Sequence, residues 1–114
     1  MHRHMSMRQV ELDRDVSDGE LIRALKALSD PTRFRMVQEI AEAGELSCGE
    51  VAERFDVSQP TISHHLRILV DAGLVVQRSE GKQHYMSVDR ARLNGLIALL
   101  PKRLSSAASK KAFA

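Results

Sequence analysis

Ser47 is followed three residues later by Glu50, and after a turn at Asp56-Val57 a second serine opens the run Ser58-Gln59-Pro60-Thr61-Ile62-Ser63-His64-His65-Leu66. A serine with a glutamate at the third helical position is a capping box, in which two otherwise unpaired backbone amides are satisfied reciprocally. Ser58 supplies the same kind of cap to the next helix. Two short capped helices joined by a tight turn, the second with a solvent face of small polar side chains, form the layout of a helix-turn-helix that enters a DNA groove. No other feature narrows the possible folds as much.

The flanking sequence extends this unit into one domain. Ser17 with Glu20 makes another capping box, opening helix 1 with Leu21, Ile22, Leu25 and Leu28 along one stripe. Asp30-Pro31 starts helix 2, because Asp caps and Pro is tolerated at the first helical position; Phe34, Val37, Ile40 and Ala41 give its apolar face and Gly44 ends it. Glu45-Leu46 is a brief extended link. Helix 3 carries Val51, Ala52 and Phe55, and helix 4 runs from the Ser58 cap to Ala72 with Ile62, Leu66, Leu69 and Val70 inward, stopped by a left-handed Gly73. From Leu74 the period becomes extended: Val75 to Arg78, a turn at Ser79-Glu80-Gly81-Lys82, and Gln83 to Val88 predict a β-hairpin. Asp89 caps a last helix with Leu93, Leu96, Ile97 and Leu100 at i, i+3, i+4 and i+7, and Pro101 just beyond them.

The expected class is therefore mainly α with a small β-hairpin, ordered α-α-α-α-β-β-α with a short extended link before helix 3. One domain over residues 17–101 is flanked by a flexible arm, 1–16, and a basic flexible tail, 102–114. A chain of 114 residues with 43% hydrophobic content closes one core and not two. No apolar run approaches the roughly 18 residues that cross a bilayer, and Met1-His2-Arg3-His4-Met5 lacks the apolar segment of a signal peptide. The expectation is a cytoplasmic protein without membrane contact. The single cysteine, Cys48, excludes a disulfide within the chain.

Net charge is only +2, but its distribution is uneven. Residues 1–63 hold 8 Lys/Arg against 12 Asp/Glu, whereas residues 64–114 hold 9 against 3. The basic half begins inside helix 4 and continues through the hairpin, where it can track phosphates. At about 100° per residue, with Ile62 toward the core, Pro60, Ser63, His64 and Arg67 point outward and Gln59, Thr61 and Ile68 flank them. Gln pairs with adenine through two hydrogen bonds, Ser and Thr serve base edges or phosphates, and His or Arg donates to guanine or the backbone. First-turn amides add partial positive charge for a phosphate. His65 falls at the core boundary, where packing or a buried hydrogen bond suits it better than base contact. In the hairpin, Arg78 and Lys82 flank Gly81 and make a second contact surface, a wing.

These residues together resemble the ArsR/SmtB family of winged-helix repressors. The resemblance covers residues 21–88 and rests on Ala27-Leu28-Ser29-Asp30-Pro31-Thr32-Arg33, Glu45-Leu46, the run from Ser58 to Leu66, Leu69, Ala72-Gly73-Leu74-Val75, and the hairpin from Arg78 to Tyr85. It implies a homodimer that binds a palindromic double-stranded DNA operator and represses transcription. It implies base reading by Gln59, Ser63 and His64 and a wing tip at Gly81-Lys82. With the residue-level reading, the expected DNA-binding set is Ser58, Gln59, Pro60, Thr61, Ser63, His64, Arg67, Arg78, Gly81, Lys82 and Gln83. The resemblance also implies pairing through the first and last helices, matching unburied stripes at Leu21, Ile22, Leu25 and at Leu93, Leu96, Ile97, Leu100.

Metal-responsive relatives carry Glu-Leu-Cys-x-Cys at the start of helix 3. Here the run is Glu45-Leu46-Ser47-Cys48-Gly49, with both ligand positions replaced. One thiolate is poor coordination for zinc or arsenite, each of which wants three or four soft ligands. A second family site uses Asp and His pairs across the two last helices, yet no His follows His84, and Asp89 suits an N-cap. His64 and His65 are adjacent and diverge on a helix, and His2-x-His4 lies at the terminus. The expectation is no metal site, no cofactor and an unknown inducer. Cys48 reads as a small helix-start residue, with one alternative: a thiol near a helix N-terminus with a lowered pKa, open to oxidation and so a redox sensor. A second alternative is a winged helix that docks protein and never reads DNA, although the outward face of helix 4 offers it only Ile68 as an apolar contact. No Ser/His/Asp set, glycine-rich phosphate loop or carboxylate pair outside caps supports an enzyme.

Overall fold

The computed structural model describes residues 16–111. Its order is α1 (Asp18–Ser29), α2 (Pro31–Ala43), β1 (Leu46–Ser47), α3 (Cys48–Glu53), α4 (Gln59–Asp71), β2 (Val75–Glu80), β3 (Gln83–Val88) and α5 (Arg90–Lys111). This is a winged helix-turn-helix, mostly helical with a small antiparallel sheet. The helix starts are where the caps place them. Glu20 N–H donates to Ser17 Oγ while Ser17 N–H donates to the Glu20 carboxylate, both at 3.1 Å. The same exchange joins Ser47 and Glu50, and Asp30 accepts the Arg33 amide at 3.0 Å with Pro31 at the first helical position.

The core is aliphatic and draws on every helix. Ala24 and Ala27 from α1, Met36 and Ile40 from α2, Val51 from α3, and Ile62, Leu66 and Leu69 from α4 meet Leu74, Met86, Leu96 and Leu99. The stop after α4 is a Schellman motif: Leu74 N–H donates to Leu69 O at 3.1 Å and Gly73 N–H to Val70 O at 2.9 Å, with Gly73 at φ 78°. That reversal sends β2 back along the domain and fixes where the hairpin leaves the reading helix.

Five features differ from the sequence expectation. The link before α3 is a true strand: β1 pairs with β3, Leu46 opposite Met86 and Ser47 opposite Tyr85, so the sheet has three strands in the order β1-β3-β2. Helix α3 ends at Glu53, leaving Phe55 in the turn, half-buried beneath the Arg35 guanidinium at 5.1 Å from the ring centre. Helix α5 continues through Pro101 to Lys111, so residues 102–111 are helical rather than a tail. Val16, expected in the flexible arm, is buried; the rest of that arm and residues 112–114 lie outside the described residues.

The fifth difference concerns the apolar stripes. Leu21 and Leu96 are buried within the protomer, Leu96 at 0% exposure, so neither is an unburied residue awaiting a partner. Leu99, outside the expected stripe, joins Leu96 in the core, while Ile97 remains 45% exposed and Ile22 50% exposed. Leu25, Leu93 and Leu100 are partly buried. Positions i, i+3, i+4 and i+7 cover a broad arc of a helix, and the core occupies only the Leu96/Leu99 side of it.

Candidate nucleic-acid interface

Helix α4 turns Ile62, Leu66 and Leu69 into the core and leaves Gln59, Pro60, Ser63, His64 and Arg67 exposed. Its N-terminus is more occupied than the sequence suggests. Ser58 Oγ lies 2.8 Å from Thr61 Oγ1 and accepts the Thr61 amide at 3.4 Å, so these two hydroxyls are engaged with each other and Thr61 is half-buried. Pro60 brings no N–H. Among the described hydrogen bonds this leaves the Gln59 amide, rather than a cradle of several first-turn amides, to meet a phosphate.

His65 faces inward, in agreement with a packing role. Its Nδ1 is 3.3 Å from Arg33 Nη1; a guanidinium only donates, so Nδ1 accepts and the ring's proton sits on Nε2. Arg33 also donates from Nε to Ala27 O at 2.8 Å and from Nη2 to Lys26 O at 3.4 Å. One side chain thus ties the last turn of α1 to the reading helix. Arg33 stands in the Asp30-Pro31-Thr32-Arg33 run, but no local pattern announces its partner 32 positions away. The neighbouring Asp30 carboxyl is held below its usual range, first by the Arg33 amide it accepts.

The wing is β2 and β3 joined by Gly81 and Lys82, with Glu80 opposite Gln83 and Gly81 at φ 62°. Gly81, Lys82 and Gln83 are exposed at its tip. Arg78 behaves differently from expectation. Its Nη2 and Nε donate to the two Glu45 oxygens at 2.9 and 3.1 Å, its Nη1 donates to Glu80 at 2.7 Å, and its guanidinium lies 4.6 Å from the Tyr85 ring centre. Two carboxylates and an aromatic face occupy it, so Arg78 braces the wing against the segment before β1. Glu45 is accordingly held below the ordinary carboxylate range, chiefly by the hydrogen bond from Arg78, whose own pKa is raised. Glu45 carried no site signal in the sequence, because its partner is distant along the chain.

Between α4 and the hairpin runs a polar groove of about 380 Å³ lined by Ser63, Arg67, Asp71, Gln77 and His84, with Leu66, Val70, Met86 and Cys48 beneath. Burial pushes the Cys48 thiol up from its ordinary pKa, opposite to the lowering that the redox alternative needs. Among the described residues, no three His, Cys, Asp or Glu gather as a metal cluster.

An exposed polar reading helix, a preceding helix at a tight turn and a braced hairpin define a winged helix-turn-helix DNA-binding regulator. Comparison with known proteins agrees. The family described as "Helix-turn-helix domain" matches residues 28–78. The chain is 40% identical over 82 residues to the arsenical resistance operon repressor of Staphylococcus aureus, covering 72% of this chain and 78% of that protein. It is 39% identical over 72 residues to the transcriptional repressor SdpR of Bacillus subtilis, 63% of this chain and 79% of that one. A solved structure described as a possible transcriptional regulator for arsenical resistance superposes with TM-score 0.64 at 34% identity, covering 81% of this chain and 96% of the other. The chain belongs to the ArsR/SmtB family of winged helix-turn-helix transcriptional regulators, a family of regulators rather than enzymes.

Proposed function

We propose that this protein is a homodimeric repressor that reads a palindromic operator without sensing metal. The observation that carries the reading is the outer face of α4: Gln59, Ser63, His64 and Arg67 stand exposed together on a helix whose opposite face is locked into the core. Base discrimination falls to Gln59, Ser63 and His64, and sequence-independent attraction to Arg67 and Lys82. Ser58, Pro60 and Thr61 shape the helix start, and Gly81 and Gln83 shape the wing tip.

Pairing is supported by the apolar surface that the protomer leaves open. Ile22 on α1 and Ile97 on α5 are about half exposed, as is Phe34, which with Leu28, Val37, Leu93 and Ile97 lines an apolar groove of about 440 Å³. A partner related by two-fold symmetry covers such surface at both copies in one contact. Leu25, Leu93 and Leu100, half-buried beside it, belong to the same interface. Two reading helices then meet successive major grooves.

Insensitivity to metal is supported by Ser47 and Gly49 in place of paired thiolates and by the raised, neutral Cys48 thiol. No helix of the described residues is long and apolar enough to cross a membrane, and a DNA reader of this kind works in the cytoplasm. The test is selection of bound duplexes from genomic fragments, followed by titration of the selected operator with and without zinc, arsenite and peroxide. Tight, palindromic binding unchanged by all three supports the reading. Release by zinc or arsenite overturns the metal-free assignment, and peroxide release lost in Cys48→Ser establishes the redox alternative. A wild-type protein that binds no duplex overturns DNA reading itself.

A further inference from the structure

We propose that the groove between α4 and the wing seats a backbone phosphate of the duplex, held by Arg67 and by the Nε2–H of His84. The inference rests on the DNA-binding reading above. When a recognition helix occupies a major groove and the hairpin reaches the adjacent minor groove, the single sugar-phosphate strand dividing the two must cross the gap between them. In this protein that gap is the polar groove, with Ser63 and Arg67 on one wall and Gln77 and His84 on the other.

The chemistry of the walls suits a phosphodiester. His84 Nδ1 lies 3.2 Å from the Gln77 side-chain amide nitrogen and 3.0 Å from Ser79 Oγ. An amide nitrogen donates, so Nδ1 accepts and the imidazole keeps its proton on Nε2, at the opposite edge of the ring. Gln77 therefore acts through His84, as a positioning residue that fixes the donor. Arg67 supplies positive charge from the other wall. The floor brings no competing anion, since burial keeps the Cys48 thiol neutral. The one carboxylate of the lining, Asp71, is a helical turn beyond Arg67 and also borders the hollow beside Arg23 and Ile68, which places it at the end remote from Ser63. Arg78, the obvious cation of the hairpin, is already occupied by Glu45 and Glu80.

A phosphate held there fixes the depth and register of α4, because Ser63 both borders the groove and faces the bases. The experiment measures binding of wild type, His84→Ala, His84→Gln and Arg67→Ala to a selected operator duplex and to a random-sequence duplex of equal length. A hydrogen bond to a charged group corresponds to about a tenfold change in affinity per contact. His84→Ala should therefore weaken both duplexes by a similar factor, about tenfold or more, and His84→Gln, which keeps a side-chain N–H, should recover much of it. Loss on the operator alone means that His84 reads a base and overturns the phosphate assignment. Unchanged binding of His84→Ala, with Arg67→Ala still weakened, overturns the seat while leaving DNA reading intact. Failure of the wild type on both duplexes sinks the underlying reading instead.

Discussion

Gly73 closes the reading helix in a conformation that disfavours a side chain twice over, so Gly73→Ala tests how tightly that closure is built. At φ 78° an L-residue meets its own backbone, a cost of about 1–2 kcal/mol. A methyl group there would also fall inside van der Waals distance of Arg92 Nε, a buried atom without a hydrogen-bond partner, so the Arg92 side chain must move. Displacing that packed stem adds about 1 kcal/mol, for a total of about 2–3 kcal/mol. In a domain this small, such a loss lowers the melting midpoint by about 10–20 °C. The comparison is Gly81→Ala, at φ 62° in the wing turn with nothing within 4 Å of the added methyl, which carries the backbone cost alone. Both are followed by thermal circular dichroism at one protein concentration, since association would otherwise shift the midpoints. Gly73→Ala should melt well below Gly81→Ala, and Arg92→Ala should recover part of the gap. Equal midpoints for the two glycine variants would refute the role given to Arg92.

Further outcomes follow from the remaining contacts. Lys82→Ala should weaken operator and random duplex alike and lower the salt slope by about 1, whereas Arg78→Ala should weaken binding through a displaced wing and leave the slope unchanged; a matching slope loss in both contradicts the brace. Ile97→Glu should give a folded monomer by sedimentation, while Leu96→Glu should fail to fold because it forces a carboxylate into a sealed core; a folded Leu96→Glu would refute that burial. Asp30, Glu45 and Glu50 are all held below the usual carboxylate range, Asp30 and Glu50 first by backbone amides and Glu45 by Arg78. Their folded state favours the charged form, so their stabilisation is complete above the unfolded carboxylate range and lost as pH falls below about 4. Melting midpoints between pH 6 and 3 should drop over that window, and Asp30→Asn should flatten part of the drop.

What could be read from the sequence was what adjacent residues decide. Caps act over three positions, so Ser17, Asp30, Ser47 and Ser58 placed the helix starts, and Gly73 marked a stop that only a left-handed residue makes. Long-range pairings left no local trace. Two residues suffice for β1 because β3 supplies its hydrogen bonds, and nothing in Leu46-Ser47 names that partner. Arg78 looked like a phosphate contact because Glu45, 33 positions earlier, is brought beside it only by the folded sheet. On α5, spacing alone does not say which side of the apolar arc meets the protomer, so the period groups Leu96 with Ile97 and passes over Leu99. Pro101 suggested an ending, yet the helix continues through it.

The Arg33 bridge gives the reading helix a fixed lever. Because the same guanidinium grips two carbonyls at the end of α1 and the imidazole of His65, the last turn of α1 and the reading helix are joined through one side chain. The pose of the groove-facing side chains thus depends on a contact made on another side of α4, by a residue that does not itself belong to the reading face.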